Sequence, residues 1–229
     1  MAEPTRTQAR AAEIRLRWLT LAACLAPLLV LVAVFGTRFG LWSASFGLEV
    51  LTLRIGRILA FAGLAAALVA VLIAFKDMRR RGLYAVVSLV VAGATVALFL
   101  VQEGRFAVPA DNDVTTDAVE APAFSRAVLA MRGGQGEASV ACPDLVSVPR
   151  QVAPETAAAA LSAAGFTVRG AAPFRADGAK EGFWFGLTYD AAIRIRPGRT
   201  DVRVAQREGV KVGDEACRLA RAVMDGLQP

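Results

Sequence analysis

The 229-residue chain contains no histidine. That absence removes His-based zinc and iron sites, Ser-His-Asp and Cys-His nucleophile systems, and the usual general base near neutral pH. Cysteine is scarce: Cys24, Cys142 and Cys217 stand at spacings that no metal-ligand motif uses. Catalysis would fall to carboxylates, lysine or tyrosine, so no catalytic residue, metal or cofactor is assigned and a non-enzymatic role is expected. Excess charge is also missing where a nucleic-acid binder would need it. The chain carries a net charge of +6, yet from Arg105 onward fifteen basic residues meet fifteen acidic ones, and the whole excess belongs to the first 104 residues. No nucleic-acid partner is expected; the surplus encodes membrane orientation instead.

What the chain has in abundance is apolar sequence. Hydrophobic residues make up 55% of it and the mean hydropathy is +0.48, above the roughly 45 to 50% of an ordinary soluble protein. Three uncharged runs, Trp18 to Phe35, Ile58 to Phe75 and Leu83 to Gln102, match the length needed to cross a hydrocarbon core of about 30 Å. Pro27 is tolerated in a membrane helix as a kink. Leu21-Ala22-Ala23-Cys24 resembles a lipoprotein processing box, but the apolar run before it is short for a signal and continues beyond Cys24. The reading is therefore a cytoplasmic tail over 1–17, a three-helix region over 18–103, an acidic linker over 104–121 and an outer domain over 122–229.

Short loops set the orientation. Arg6, Arg10, Arg15 and Arg17 precede the first run, and Lys76, Arg79, Arg80 and Arg81 separate the second from the third. The positive-inside rule puts both in the cytoplasm of a bacterial inner membrane and the C-terminal domain in the periplasm. The connection Thr37 to Gly56 is too apolar for a free loop; it reads either as an interfacial helix carrying Trp42 and Phe46 on one face, or as a segment packed on the bundle mouth.

In the outer half, a helix is expected to begin at Pro122 and to stop at Gly133-Gly134. A second begins at Pro154-Glu155 and stops at Gly165, and a third runs from Gly213 to Leu227. Strands are expected over Phe166 to Ala171, Gly182 to Leu187, Ala191 to Arg196 and Thr200 to Gln206, the last two joined by a Pro197-Gly198-Arg199 turn. The fold class expected is α+β, an antiparallel sheet covered on one side by helices.

Strand parity puts Arg169, Trp184, Arg194, Arg196, Asp201 and Arg203 on the face away from the core. Arginines beside a tryptophan could bind an anionic head group or carboxylate through forked hydrogen bonds and cation–π contact. Alternatively the same face is laced by its own ion pairs, with Asp113, Asp117 and Glu120 of the acidic linker as partners. A calcium reading of those three acids fails, because the ligand density and glycine of a calcium loop are missing. Cys142 and Cys217 share the domain placed outside the cytoplasm, where an oxidising compartment favours a structural disulfide; two buried thiols are the other possibility.

Three stretches carry a resemblance. TDVRVAQREG followed by VGDEACRLARAV resembles the closing motif of the bacterial family called domain of unknown function 1499. Asn112 to Asp117 matches the Asp-[Val/Ile]-Thr-Thr-Asp motif of that family, and GLWSASFGLEVLTLR is similar to a loop of its three-span members. Gln206 stands where the family has Ser, Glu215 where it has Asn, Asn112 where His is frequent, and Lys211 near an expected Asp. The resemblance implies a membrane-anchored domain without an established activity. Its partners would be the lipid bilayer and a membrane protein or anionic lipid. Two roles follow: a binding or assembly module, or a binder of small anionic ligands or lipid head groups on the Arg/Trp face.

Overall fold

The computed structural model describes residues 6–106, 112–132, 140–142, 145–210 and 213–228. Asp111, the Gly133-Gly134 helix stop and Lys211 lie outside the described residues. The chain divides into two compact units, residues 1–104 and 105–229.

The first unit is helical. Helix α1 spans Arg6–Arg38, a π-helical stretch Phe46–Gly56 runs directly into α2 at Arg57–Ala74, and α3 spans Met78–Phe106. Three segments, Glu13–Arg38, Phe46–Ala74 and Arg81–Glu103, are long and apolar enough to cross a membrane. They pack through small side chains. Ala23, Ala67 and Ala92 form one buried cluster and Ala26, Ala60 and Val96 another. A Cβ at Gly63 would lie 3.3 Å from the Ala23 Cα, so glycine permits the close approach of α1 and α2. Leu25, Leu28, Leu31, Leu68, Leu72 and Leu98 stay on the outside of the bundle, as suits helices with the length and hydropathy of membrane spans.

Of the two expectations for the apolar connection between the first two spans, packing on the bundle is the one that fits: Phe46 to Ala74 is one helical run, and Gly47, Leu48, Thr52 and Gly56 in it are buried. Trp42 folds back instead of projecting. Its Nε1 donates to the Ala33 carbonyl at 3.3 Å and to Thr37 Oγ1 at 3.0 Å, and a Cβ on Gly36 would sit 1.9 Å from the indole. Where the charged flanks of α2 and α3 meet the apolar spans, Arg57 pairs with Glu103 at 2.9 Å.

The second unit is an α+β domain. Its strands are β1 Asp113–Thr115, β2 Val140–Ala141, β3 Thr167–Ala172, β4 Arg175–Glu181, β5 Thr188–Arg196 and β6 Arg199–Gln206, in the order β2-β1-β6-β5-β4-β3. All neighbours are antiparallel except β1 and β2. Helices α4 Arg126–Met131, α5 Pro154–Ala163 and α6 Glu215–Leu227 complete it. Pro154 occupies the first turn of α5, and Gly165 closes it at a φ of 81° that a side chain would resist.

Alternation decides the two faces of the sheet. Ala191, Ile193 and Ile195 of β5 stand beside Val204, Val202 and Thr200 of β6, all buried. On this face the position of Gly178 meets Leu161 of α5. Helices α5 and α6 touch so closely that a Cβ on Gly226 would lie 3.0 Å from the Ala160 Cα. The opposite face is not bare. Phe124 and Val128 pack on Ala192 and Ala205, so the segment carrying α4 covers part of it. The Cys142–Cys217 disulfide, with Cα atoms 5.8 Å apart, ties the chain beyond β2 to α6.

Two sequence expectations give way. Gly182 to Leu187 is a loop joining β4 to β5, and the strand lies before it at Arg175–Glu181. The apolar run FWFGL looks strand-like, but Gly186 takes a φ of 66° and the Gly182 N–H closes the loop on the Leu187 carbonyl at 2.8 Å. RADGAKE forms the strand despite its polarity: Gly178 leaves room for Leu161 of α5 and for Phe166, Ala176 is buried on the same face, and Ala179 is buried on the other. The segment read as a linker contains β1, whose Val114 is fully buried opposite Val204.

Candidate functional site

The β5–β6 hairpin turns at Pro197 and Gly198, where proline presets φ and Gly198 adopts 72°. Register then sets Arg194 beside Asp201 and Arg196 beside Arg199, on the face away from α5 and α6. Three guanidinium groups would repel one another there without anions between them. Asp201, fully buried, supplies the centre: it accepts from Arg194 Nη2 at 3.0 Å, Arg196 Nη2 at 2.8 Å, Arg199 Nε at 2.7 Å and Ser147 Oγ at 2.6 Å. Burial opposes ionisation of Asp201, but the hydroxyl of Ser147 and the three guanidinium groups outweigh it and hold the carboxyl below its ordinary value.

A second carboxylate closes the cluster from outside the sheet. Asp117 Oδ2 lies 3.2 Å from Arg194, 3.2 Å from Arg196 and 3.1 Å from Arg199. Its other oxygen accepts from the Val119 and Glu120 backbone N–H groups. Hydrogen bonding to the Glu120 N–H, more than offsetting burial, and the nearby Arg199 charge lower its pKa. Glu120 adds a 2.8 Å contact to Arg196, and its carbonyl accepts from Arg194 at 2.6 Å. Three arginines and three acids therefore form one electroneutral network that pins residues 117–120 onto the sheet.

Arg203 and Asp113 form a separate pair, with Arg203 Nε donating to Asp113 Oδ1 at 2.8 Å and Nη1 to the Pro122 carbonyl at 3.2 Å. Its guanidinium stacks 4.6 Å from the centre of the Phe124 ring, and Arg132 covers the same ring at 4.8 Å. Arg132 and Arg207 in turn share Asp190, at 3.2 Å and 2.6 Å. Phe124 is thus held between two buried cations, Arg203 compensated by Asp113 and Arg132 by the Asp190 that it shares with Arg207.

The remaining residues singled out from the sequence lie apart. Arg169 is exposed at the bulge of edge strand β3 between Val168 and Gly170, and a bulge re-aims a side chain. Trp184 sits in the β4–β5 loop. It lies beyond the opposite end of β5 from Arg194 and Arg196, which stand about 20 and 26 Å along the strand from Thr188 at 3.3 Å per residue. Arginines and tryptophan do not share one surface.

Sequence reasoning missed Arg199, Ser147, Asp190, Arg207, Arg132 and Phe124. The strand alternation that placed Arg194 and Arg203 extends to Asp190 and Arg207 and could have found both. Nothing in the spacing announces Ser147, Arg132 or Phe124, which arrive from segments outside the hairpin.

Among the described residues, no group of three or more Cys, Asp or Glu is placed to hold a metal ion. At the end of the sheet where the chain enters, Asn112 Oδ1 and both side-chain polar atoms of Gln206 are buried and hydrogen-bond to nothing described. Comparison of the chain with models of protein families, with curated proteins and with solved structures finds no match.

Proposed function

We propose that this chain is a bacterial inner-membrane protein, akin to the family called domain of unknown function 1499, that holds its α+β domain in the periplasm as a non-enzymatic binding or assembly module. The observation that carries the reading is the closed charge network. A site for a small anion must offer guanidinium N–H groups to the ligand, whereas Arg194, Arg196, Arg199 and Arg203 already donate to carboxylates of the same domain. The arginine face therefore acts as an internal clasp. Periplasmic placement is supported by the eight basic residues before the first span and between the second and third, and by a disulfide suited to an oxidising compartment.

Two measurements test it. Reporter fusions after Lys76 and after Pro229 are expected to be active on opposite sides of the membrane; a cytoplasmic C-terminus refutes the placement. The double variant Arg196→Gln, Arg203→Gln is expected to lower thermal stability without removing any anion binding. A double variant as stable as the parent that has lost binding to anionic lipid or small carboxylates would establish the arginine face as a ligand site and overturn the clasp.

A further inference from the structure

We infer that the β4–β5 loop, tipped by Phe183 and Trp184, is a lipid-docking element that rests in the headgroup region of the membrane carrying the protein's own helices. Phe183 and Trp184 are 80% and 63% exposed. They pack edge to face with ring centroids 5.3 Å apart, so they form one contiguous aromatic tip. The loop cannot withdraw them into the core: Gly182 and Leu187 close its base by a 2.8 Å hydrogen bond, and Leu187 fills the interior behind. Among the described residues the Trp184 indole N–H donates to no protein atom. An apolar ring with a free polar edge is what partitions to the membrane–water boundary.

Topology supplies the reason that the occupant is a bilayer. The Asn112 carbonyl accepts from the Gln206 N–H, Gln206 stands beside Tyr189, and the Arg207 N–H donates to the Thr188 carbonyl. Asn112 and the root of the loop therefore lie at the same end of the sheet, two strand spacings or about 10 Å apart. Only residues 107–111 join Asn112 to Phe106 at the end of α3, a length of at most about 22 Å when extended. A lipid surface is thus within reach of this end of the sheet and of the loop that projects from it. Lys180, Glu181, Arg207 and Glu208 flank the loop with balanced charge, so docking rests on the aromatic rings and requires no anionic lipid. The inference holds whichever face of the membrane the domain occupies.

The full-length protein, reconstituted in phosphatidylcholine vesicles, provides the test. Tryptophan emission is compared between the parent and Trp184→Phe, and the difference belongs to Trp184. That component is expected to fall about two-fold or more when bromine is carried near the headgroup end of the acyl chains, and to be shielded from aqueous iodide. Phe183→Ser is expected to reduce the bromolipid quenching while the Cys142–Cys217 disulfide and protease resistance persist. Quenching by iodide with indifference to bromolipid overturns the inference. Shielding from both quenchers overturns it too, because a protein surface, a second copy included, then covers the loop. Undiminished bromolipid quenching in Phe183→Ser likewise refutes the paired-ring tip.

Discussion

Replacing Asp201 by Asn removes the charge at the centre of the clasp with almost no change of shape. Asp201 is inaccessible to solvent and compensates Arg194, Arg196 and Arg199. Breaking a buried ion pair by neutralising one partner costs about 3 to 5 kcal/mol, because the other charge is left uncompensated. Water reaches the outer sides of Arg196 and Arg199, and Asp117 still neutralises part of the cluster, so the lower end, about 3 kcal/mol, applies. With a urea dependence of roughly 1.5 kcal/mol per M for a domain of this size, the unfolding midpoint should fall by about 2 M. Pulse proteolysis of the detergent-solubilised protein across a urea series reads that midpoint from cleavage of the outer domain. The same network fixes the pH dependence. The Asp201 and Asp117 carboxyls lie below the ordinary 3.8 when folded. Their contribution is therefore complete above about pH 5 and lost as pH falls past 3.8 through the lower folded values. The wild-type midpoint should drop with acidification in that window, and Asp201→Asn should drop less. A midpoint for Asp201→Asn within about 0.5 M of wild type would refute the reasoning, since it would make the cluster a set of surface pairs worth little.

Two other perturbations follow from the same geometry. Cys142→Ser in the full chain should destabilise the outer domain by about 4 kcal/mol in the chain-entropy model, because the bridge closes a loop spanning 75 positions; the urea midpoint measured with and without reductant checks it, and reductant should leave the variant unchanged. Gly36→Ala should expel the Trp42 indole, since the new methyl would lie 1.9 Å from the ring; a shift in the emission component assigned to Trp42, absent in Gly93→Ala, where nothing lies within 4 Å of the added methyl, reports the displacement.

The sequence by itself determined the features that depend on local repetition. Uncharged runs marked three helices long enough for a membrane, Pro154 and Gly165 bracketed α5, and alternation around Pro197-Gly198 put Arg194, Arg196, Asp201 and Arg203 on one side of a hairpin. Each of these is imposed by residues within a few positions of one another. Tertiary structure alone decided what those side chains meet. Asp113 and Asp117 reach Arg203 and Arg194 across 90 and 77 positions, and Ser147, Arg132 and Phe124 come from other segments still. It also reversed the roles of two neighbouring stretches. The polar RADGAKE became an inner strand because Gly178 leaves room for Leu161 of α5, and the apolar FWFGL became a loop that exposes Phe183 and Trp184 while burying Leu187, because glycine geometry and a single backbone hydrogen bond turned it out of the sheet. Burial of a charge or exposure of a ring depends on what the fold brings beside it, and no window of sequence contains that partner.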